Sequence, residues 1–319
     1  MSDYDLIIVG GGGAGLAAGI MARKAGASVM VLEADSKLGG ATAWSAAVMY
    51  ACNTSIQKAR GIHDTPDAMF NYMMTLAGWD TYPRIMRVLC EQSGPTLEWL
   101  ISLGVQFPVD YLLCSGVDEV PRGHPSGGVA TSLINAAGAA GVEHALGTRV
   151  DKLLVENGRV VGVSAGGETL RGGAVIVTTG GFGNSPEMIK DYYPTAAYHG
   201  DWTYAVHMKA PFIVGDGIKL GKDIGADIVG EDTGLLLPTS GLGKFFGGGE
   251  SVAVFTRATP AFNPAFGRRR KEGGVPAYSA IELNPWESRA GQSGKETVAH
   301  QLEVTLGKPS GQLDHHFSG

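Results

Sequence analysis

A chain of 319 residues with 44% apolar residues can bury a sizeable core and is long enough for two domains. Its net charge of −6, without a clustered basic face, argues against a nucleic-acid partner. The 49 glycines are about twice the usual share and follow no collagen-like period, so they belong in turns and close backbone approaches.

The chain enters a strand almost at once. Asp5 to Val9 is a short apolar run rich in β-branched residues, and Gly10, Gly12 and Gly15 follow in GxGxxG spacing before a helical pattern from Leu16 to Ala25. Strand, tight turn and helix in this order form a cradle for a dinucleotide pyrophosphate. Gly10 permits the turn, Gly12 lets backbone approach the anion, and Gly15 lets helix and strand pack closely, with Gly11 and Gly13 adding room. A second strand, Ser28 to Leu32, ends in Glu33, about 20 residues past the glycines, where an acid accepts hydrogen bonds from a ribose hydroxyl and disfavours a 2′-phosphate. The pattern by itself leaves open which dinucleotide is bound.

Thr65 and Asp80 stand as helix N-caps before the periodic stretches 65–78 and 82–104. The Met and aromatic residues there recur at helical spacing and read as core. "VPRGHPSGG" at 120–128 reads as a Pro/Gly-rich loop in which Arg122 and His124 could reach a carbonyl or a cofactor. "GRVVGVSAGGETLRGGAVIV" at 158–177 alternates as strand, turn, strand. The aromatic segment with Tyr198, Trp202, Tyr204 and His207 suits a core segment or a substrate wall. Arg268, Arg269, Arg270 and Lys271 read as a solvated loop, and so do His315 and His316 in the polar terminus. Cys52, Cys90 and Cys114 lack zinc spacing and read as reduced packing residues. With no signal-peptide pattern and no apolar run long enough for a bilayer, a cytoplasmic protein without an integral membrane segment is expected.

Three segments carry a resemblance: "ADSKLGGATAWSAA" after Glu33, "AVIVTTGGFGNSPEM" at 174–188 and "GDGIKLGKDIGADIVG" at 215–230. Together with the N-terminal fingerprint, the chain over roughly 4–245 resembles the FAD-dependent family of fumarate reductase and succinate dehydrogenase flavoproteins and 3-ketosteroid dehydrogenases. The resemblance implies FAD instead of NAD, bound by Gly10, Gly12, Gly13, Ala14, Gly15, Glu33 and Ala34. It further implies Gly39, Gly40, Ala41, Thr42 and Ser45 along the pyrophosphate and flavin, Val150 at the adenine through its backbone, and Thr179, Gly180, Gly181 and Asp216 around the cofactor. The expected fold is α/β: a Rossmann-like FAD-binding domain with a parallel sheet and a β-meander over 1–232. An incomplete catalytic or cap domain with a poorly ordered tail is expected over 233–319.

Departures from the family refine these expectations. Succinate dehydrogenase flavoproteins attach FAD to a His after the paired glycines; "GGATAWSAA" has none, which implies a non-covalent flavin. Fumarate reductases place a His before Pro-Thr, whereas "GLLLPTSG" at 234–241 has Leu237, which weighs against a dicarboxylate. The chain therefore resembles more closely the ketosteroid branch, where Tyr111 falls at a substrate-contacting position and His124 at a common site position. The implied substrate is a small apolar ketone or steroid-like molecule, and the implied reaction is hydride transfer to or from flavin N5 with proton transfer at the neighbouring carbon. After Gly249 the chain is rich in Pro, Gly and charge, and the family's inserted catalytic domain and return to the flavin are not recognisable. A C-terminally truncated chain whose last 70 or so residues fold poorly is expected. Two alternatives stand beside the ketosteroid-like enzyme: a flavin-binding remnant without turnover, and a fumarate reductase-type enoate reductase. An NAD-dependent dehydrogenase is a weaker reading.

Overall fold

The run Tyr4–Val9 has no polar alternation from Leu6 onward, the pattern of a strand covered on both faces. It forms β1, and Leu6, Ile7, Ile8 and Val9 are all buried. The computed structural model describes residues 2–232 except 46, 80, 111, 115–117, 198–204, 206–210 and 231. Asp80, Tyr111, Tyr198, Trp202, Tyr204, His207, Leu237, the basic run 268–271, His315, His316 and the second domain expected at 233–319 lie outside the described residues.

The chain divides into two compact units. The first comprises Met1–Ser45, Leu103–Val105 and Gly127–Glu231; the described part of the second is Ala46–Ser102, Gln106–Ser126 and Asp232. In sequence, the parts of the second unit at 46–102 and 106–126 are inserted into the first.

The first unit is built on one sheet. Helix α1 (Gly13–Lys24) links β1 to β2 (Val29–Leu32), which pairs with it in parallel, Ile8 opposite Val31. Helix α5 (Val129–Ala139) leads to β5 (Glu143–Ala145), a parallel neighbour of β2, and then come β6 (Lys152–Glu156), β7 (Arg159–Ala165) and β8 (Glu168–Val177). The order is β5-β2-β1-β8-β7-β6. The ten-residue β8 closes the antiparallel meander against β7 with one half, Val163 opposite Leu170, and pairs in parallel with β1 with the other, Ile8 opposite Ile176. The parallel sheet with a meander is therefore present as expected. Ile7, Val9, Leu32, Val150, Val163 and Leu220 form a core cluster of this unit. Helix α8 (Asp216–Asp223) supplies Leu220, and the short helices α6 (Pro186–Tyr192) and α7 (Pro194–Ala197) precede it.

The second unit contains β3 (Val48–Tyr50), α2 (Ser55–Ala59), α3 (Pro66–Leu76), α4 (Pro83–Ser102) and β4 (Gly123–Pro125), with β3 and β4 antiparallel. Thr65 caps α3 as its position predicts, its side chain accepting a hydrogen bond from Ala68 N at 3.1 Å. Met69, Phe70 and Met74 are buried together with Cys52 and Cys90 and are core as expected, whereas Tyr82 is exposed. Cys114 departs from expectation, being exposed, while all three cysteines are free. Burial raises the thiol pKa of Cys90 to about 11.

The larger departure is at 120–128. Instead of an open loop, Gly123–Pro125 is a strand, and Arg122 and His124 are almost completely enclosed at 2% and 0% exposure. A loop reading follows from Pro and Gly in sequence, but a strand with Pro at its end satisfies its ladder through Met49 opposite His124 and Tyr50 opposite Gly123.

Candidate functional site: a glycine-lined cleft

The glycine loop at the end of β1 shows in space why each position is glycine. Gly10 sits at φ +106°, and a Cβ there would lie 2.6 Å from the Thr178 carbonyl oxygen. A Cβ on Gly15 would lie 2.0 Å from the Gly10 carbonyl oxygen, so only glycine lets the first turn of α1 sit against the strand end. Thr178 fastens the same corner: its Oγ1 donates to the Gly10 carbonyl at 2.8 Å and its backbone N–H to Val9 at 2.8 Å.

Glu33, at the end of β2, is buried and holds the loop from the other side. Gly11 N–H donates to its Oε2 and Asp35 N–H to its Oε1, both at 2.7 Å. Among the described residues it forms no ion pair. These bonds use two of the roughly four lone-pair sites of an ionised carboxylate. The remaining sites can accept from further donors.

The second glycine pair packs onto the first loop. Gly39 N–H donates to the Gly11 carbonyl at 2.9 Å, and the 3-10 turn Gly40–Ala43 brings Thr42 Oγ1 to within 3.2 Å of Gly13 N–H, which donates to it. An open cleft of about 190 Å³ results. Of the expected cofactor residues, Gly10, Gly12, Gly13, Ala14, Glu33, Ala34, Gly40, Ala41, Thr42, Val150, Thr179, Gly180 and Asp216 line it. Gly15, Gly39, Ser45 and Gly181 are not among its lining residues. Gly15 and Gly39 support the loop from behind, Ser45 Oγ donates to the Thr42 carbonyl at 3.0 Å, and Gly181 accepts from Gly215 N–H at 3.0 Å.

The wall also includes Val9, Leu32, Asp35, Thr148, Arg149, Thr178, Phe212 and Ile213, which the sequence reading did not single out. Arg149 is adjacent to the expected Val150 but belongs to no motif. It pairs with Asp216, donates to the Pro211 carbonyl at 2.7 Å, and lies 5.8 Å from the centre of the Phe212 ring.

The second unit brings Arg122 and His124 into a buried polar chain. Arg122 is bidentate to Asp64, Nε to Oδ2 at 2.8 Å and Nη2 to Oδ1 at 2.7 Å, and its Nη1 donates to Asp118 at 2.6 Å. Burial opposes the guanidinium charge, but the hydrogen bonds it donates to Asp64 and the charges of Asp118 and Asp64 outweigh it and raise the Arg122 pKa. Tyr50 donates to Asp118, and burial followed by this bond raises its phenol pKa. Gln57 donates to Asp64 at 3.1 Å and completes a capping box with Thr54 at the start of α2. His124 Nδ1 lies 2.7 Å from the Arg122 carbonyl, which can only accept, so Nδ1 carries the proton and Nε2 accepts from Thr54 Oγ1 at 2.9 Å. Burial lowers the His124 pKa from its ordinary value. Both ring nitrogens are engaged within this unit.

A parallel sheet, a GxGxxG corner and a carboxylate at the end of the second strand define a dinucleotide-binding α/β protein. Residues 5–250 match the family model described as FAD binding domain, and the chain belongs to that family. FAD is its cofactor. The cleft fits this group on its own geometry: a Cβ on Gly12 would meet no protein atom within 4 Å, so backbone there is open to a ligand, and the Glu33 carboxylate is fixed beside it.

A probable fumarate reductase of Shewanella frigidimarina is 33% identical over 249 residues, covering 74% of this chain and 41% of the relative. The urocanate reductase of Eggerthella lenta is 34% identical over 206 residues, covering 60% and 34%. Among solved structures, the 3-ketosteroid-Δ4-(5α)-dehydrogenase of Rhodococcus jostii RHA1, in complex with 4-androstene-3,17-dione, superposes with a TM-score of 0.66 at 28% identity, covering 75% of this chain and 58% of that one. The chain thus spans about two fifths of the fumarate reductase relative and one third of the urocanate reductase. No helix among the described residues is long and apolar enough to cross a membrane.

Proposed function

We propose that this chain is the flavin-holding part of an oxidoreductase acting on a carbon–carbon bond beside a carbonyl, with a small apolar ketone of steroid-like kind as substrate. One observation carries the reading: Gly10, Gly12, Gly13 and Ala14, the anchored Glu33 carboxylate and the Gly40–Thr42 turn line a single cleft. When bound, FAD supplies two-electron chemistry that no side chain can. The residues of this chain do the holding. Backbone N–H groups at the start of α1 meet the anionic pyrophosphate, and Glu33 accepts from ribose hydroxyls while repelling a further phosphate. Nothing in "GGATAWSAA" attaches the flavin covalently, so denaturation releases it intact.

Tyr111 is the proton-path candidate: Tyr111→Phe is expected to slow turnover while leaving flavin content unchanged. The enclosed geometry of His124 favours a role in joining β4 to α2 over a catalytic one. The steroid-like substrate is supported by the ketosteroid dehydrogenase likeness and by Leu237, where fumarate reductases carry His. Enoate reduction is the second reading, favoured by the fumarate and urocanate reductase relatives.

The test is the visible absorption spectrum of the purified, desalted protein. Flavin bands followed by anaerobic bleaching with a 3-ketosteroid support dehydrogenation beside a ketone. Reoxidation of chemically reduced protein by fumarate or urocanate, without bleaching by steroid, supports enoate reduction. A colourless protein that cannot be reconstituted with FAD refutes both and leaves a remnant without turnover.

A further inference from the structure

The cleft has two walls that β1 alone does not join at the rim. On one side Glu33 and Asp35 carry the segment before β6: Gly147 N–H donates to the Asp35 carbonyl at 2.9 Å and Thr148 N–H to that of Glu33 at 2.8 Å. On the other side the end of β8 carries the start of α8: Gly217 N–H donates to Thr179 Oγ1 at 2.8 Å and Gly215 N–H to the Gly181 carbonyl at 3.0 Å. Arg149 stands on the first wall and Asp216 on the second, and their side chains form a salt bridge. The same guanidinium donates to the Pro211 carbonyl and stacks near Phe212, so three points of the second wall are tied to one residue of the first.

We propose that Arg149 is a cofactor-retaining positioning residue that acts through Asp216 and the 211–213 segment, bracing the two walls so that bound FAD leaves slowly. The proposal rests on the FAD reading of the cleft. A planar, bidentate-capable cation suits this brace better than a lysine, because it reaches a carboxylate and a backbone carbonyl at once. The pair is only half enclosed, Arg149 at 36% and Asp216 at 25% side-chain exposure, so salt competes with it. Losing the guanidinium frees the Asp216 carboxylate to rotate and removes the bond that holds the Pro211 carbonyl to the first wall.

The experiment measures FAD release from the full chain by the recovery of flavin fluorescence after large dilution, for the parent, Arg149→Met and Arg149→Lys. Arg149→Met is expected to release FAD about tenfold faster, equivalent to about 1.4 kcal/mol, and Arg149→Lys to fall between. Raising salt should quicken release from the parent and leave Arg149→Met unchanged. Melting of the apoproteins separates bracing from general stability, since a brace leaves the apo midpoint of Arg149→Met near that of the parent. Equal release rates, or faster release explained by an equally destabilised apoprotein, overturn the proposal. A parent that retains no FAD removes the cofactor reading itself, which is a different result from a parent that retains it and a variant that releases it no faster.

Discussion

Replacing Glu33 by Gln removes a charge and one acceptor from the corner on which the cleft depends. In the parent, two backbone N–H groups 22 residues and two residues away donate to the two carboxylate oxygens, each at 2.7 Å. Hydrogen bonds to charged groups contribute about 1.5–3 kcal/mol each, and a buried donor left without a partner costs about 1–3 kcal/mol. Gln offers one carbonyl oxygen, so one N–H keeps a weaker, neutral bond while the other faces an NH2 group. The net loss is about 3 kcal/mol. For a unit of this size a loss of 1 kcal/mol lowers the melting midpoint by about 2–4 °C, so the apoprotein of Glu33→Gln should melt about 6–12 °C below the parent. The neutral side chain can also accept fewer hydroxyl bonds, and FAD affinity in a fluorescence titration should fall by more than the apo stability alone explains. An apo midpoint within about 2 °C of the parent together with unchanged FAD affinity would refute the anchoring role of Glu33.

Three further outcomes follow from the same structure. Gly15→Ala places a methyl 2.0 Å from the Gly10 carbonyl oxygen, so α1 must shift off the strand end; overpacking of this kind costs about 1–3 kcal/mol, and retained flavin in the desalted protein should drop, whereas parental flavin content would show that the helix has room. Arg122→Met leaves Asp64 and Asp118 buried without their cation and should lower the unfolding free energy in urea by about 3–5 kcal/mol. The triple variant with Asp64→Asn and Asp118→Asn should recover part of it; no loss in the single variant contradicts a closed ion cluster. His124 is neutral in the folded chain because burial lowers its pKa. As pH falls below about 6.5 the unfolded chain therefore takes up a proton that the folded chain does not, and stability declines by up to about 1.36 kcal/mol per pH unit until the lower folded value is reached. Urea midpoints of the parent and of His124→Gln between pH 7.5 and 5 check this, and identical slopes would count against it.

The parts of this protein legible in its sequence are those governed by short-range rules. The strand of Leu6 to Val9, the glycines at 10, 12 and 15, the helix that follows and the acid at 33 lie within one βαβ unit, where periodicity and spacing report directly on backbone geometry. Thr65 as a helix cap belongs to the same class, because capping involves residues only three positions apart. What the sequence could not contain is the pairing of distant segments. Strand β8 serves as both meander and parallel strand because β1 reaches it across more than 160 residues. The segment 120–128 reads as a loop until β3 pairs with it, and only then do Arg122 and His124 become a buried ion cluster and a satisfied core histidine. Arg149 carries no motif, and its place on the rim follows from Asp216, 67 residues away. Local patterns thus determined the class of ligand and its cradle. The tertiary structure decided which polar side chains face the cleft and which are consumed in holding the fold, since burial and partnership depend on the packing of elements far apart in the chain.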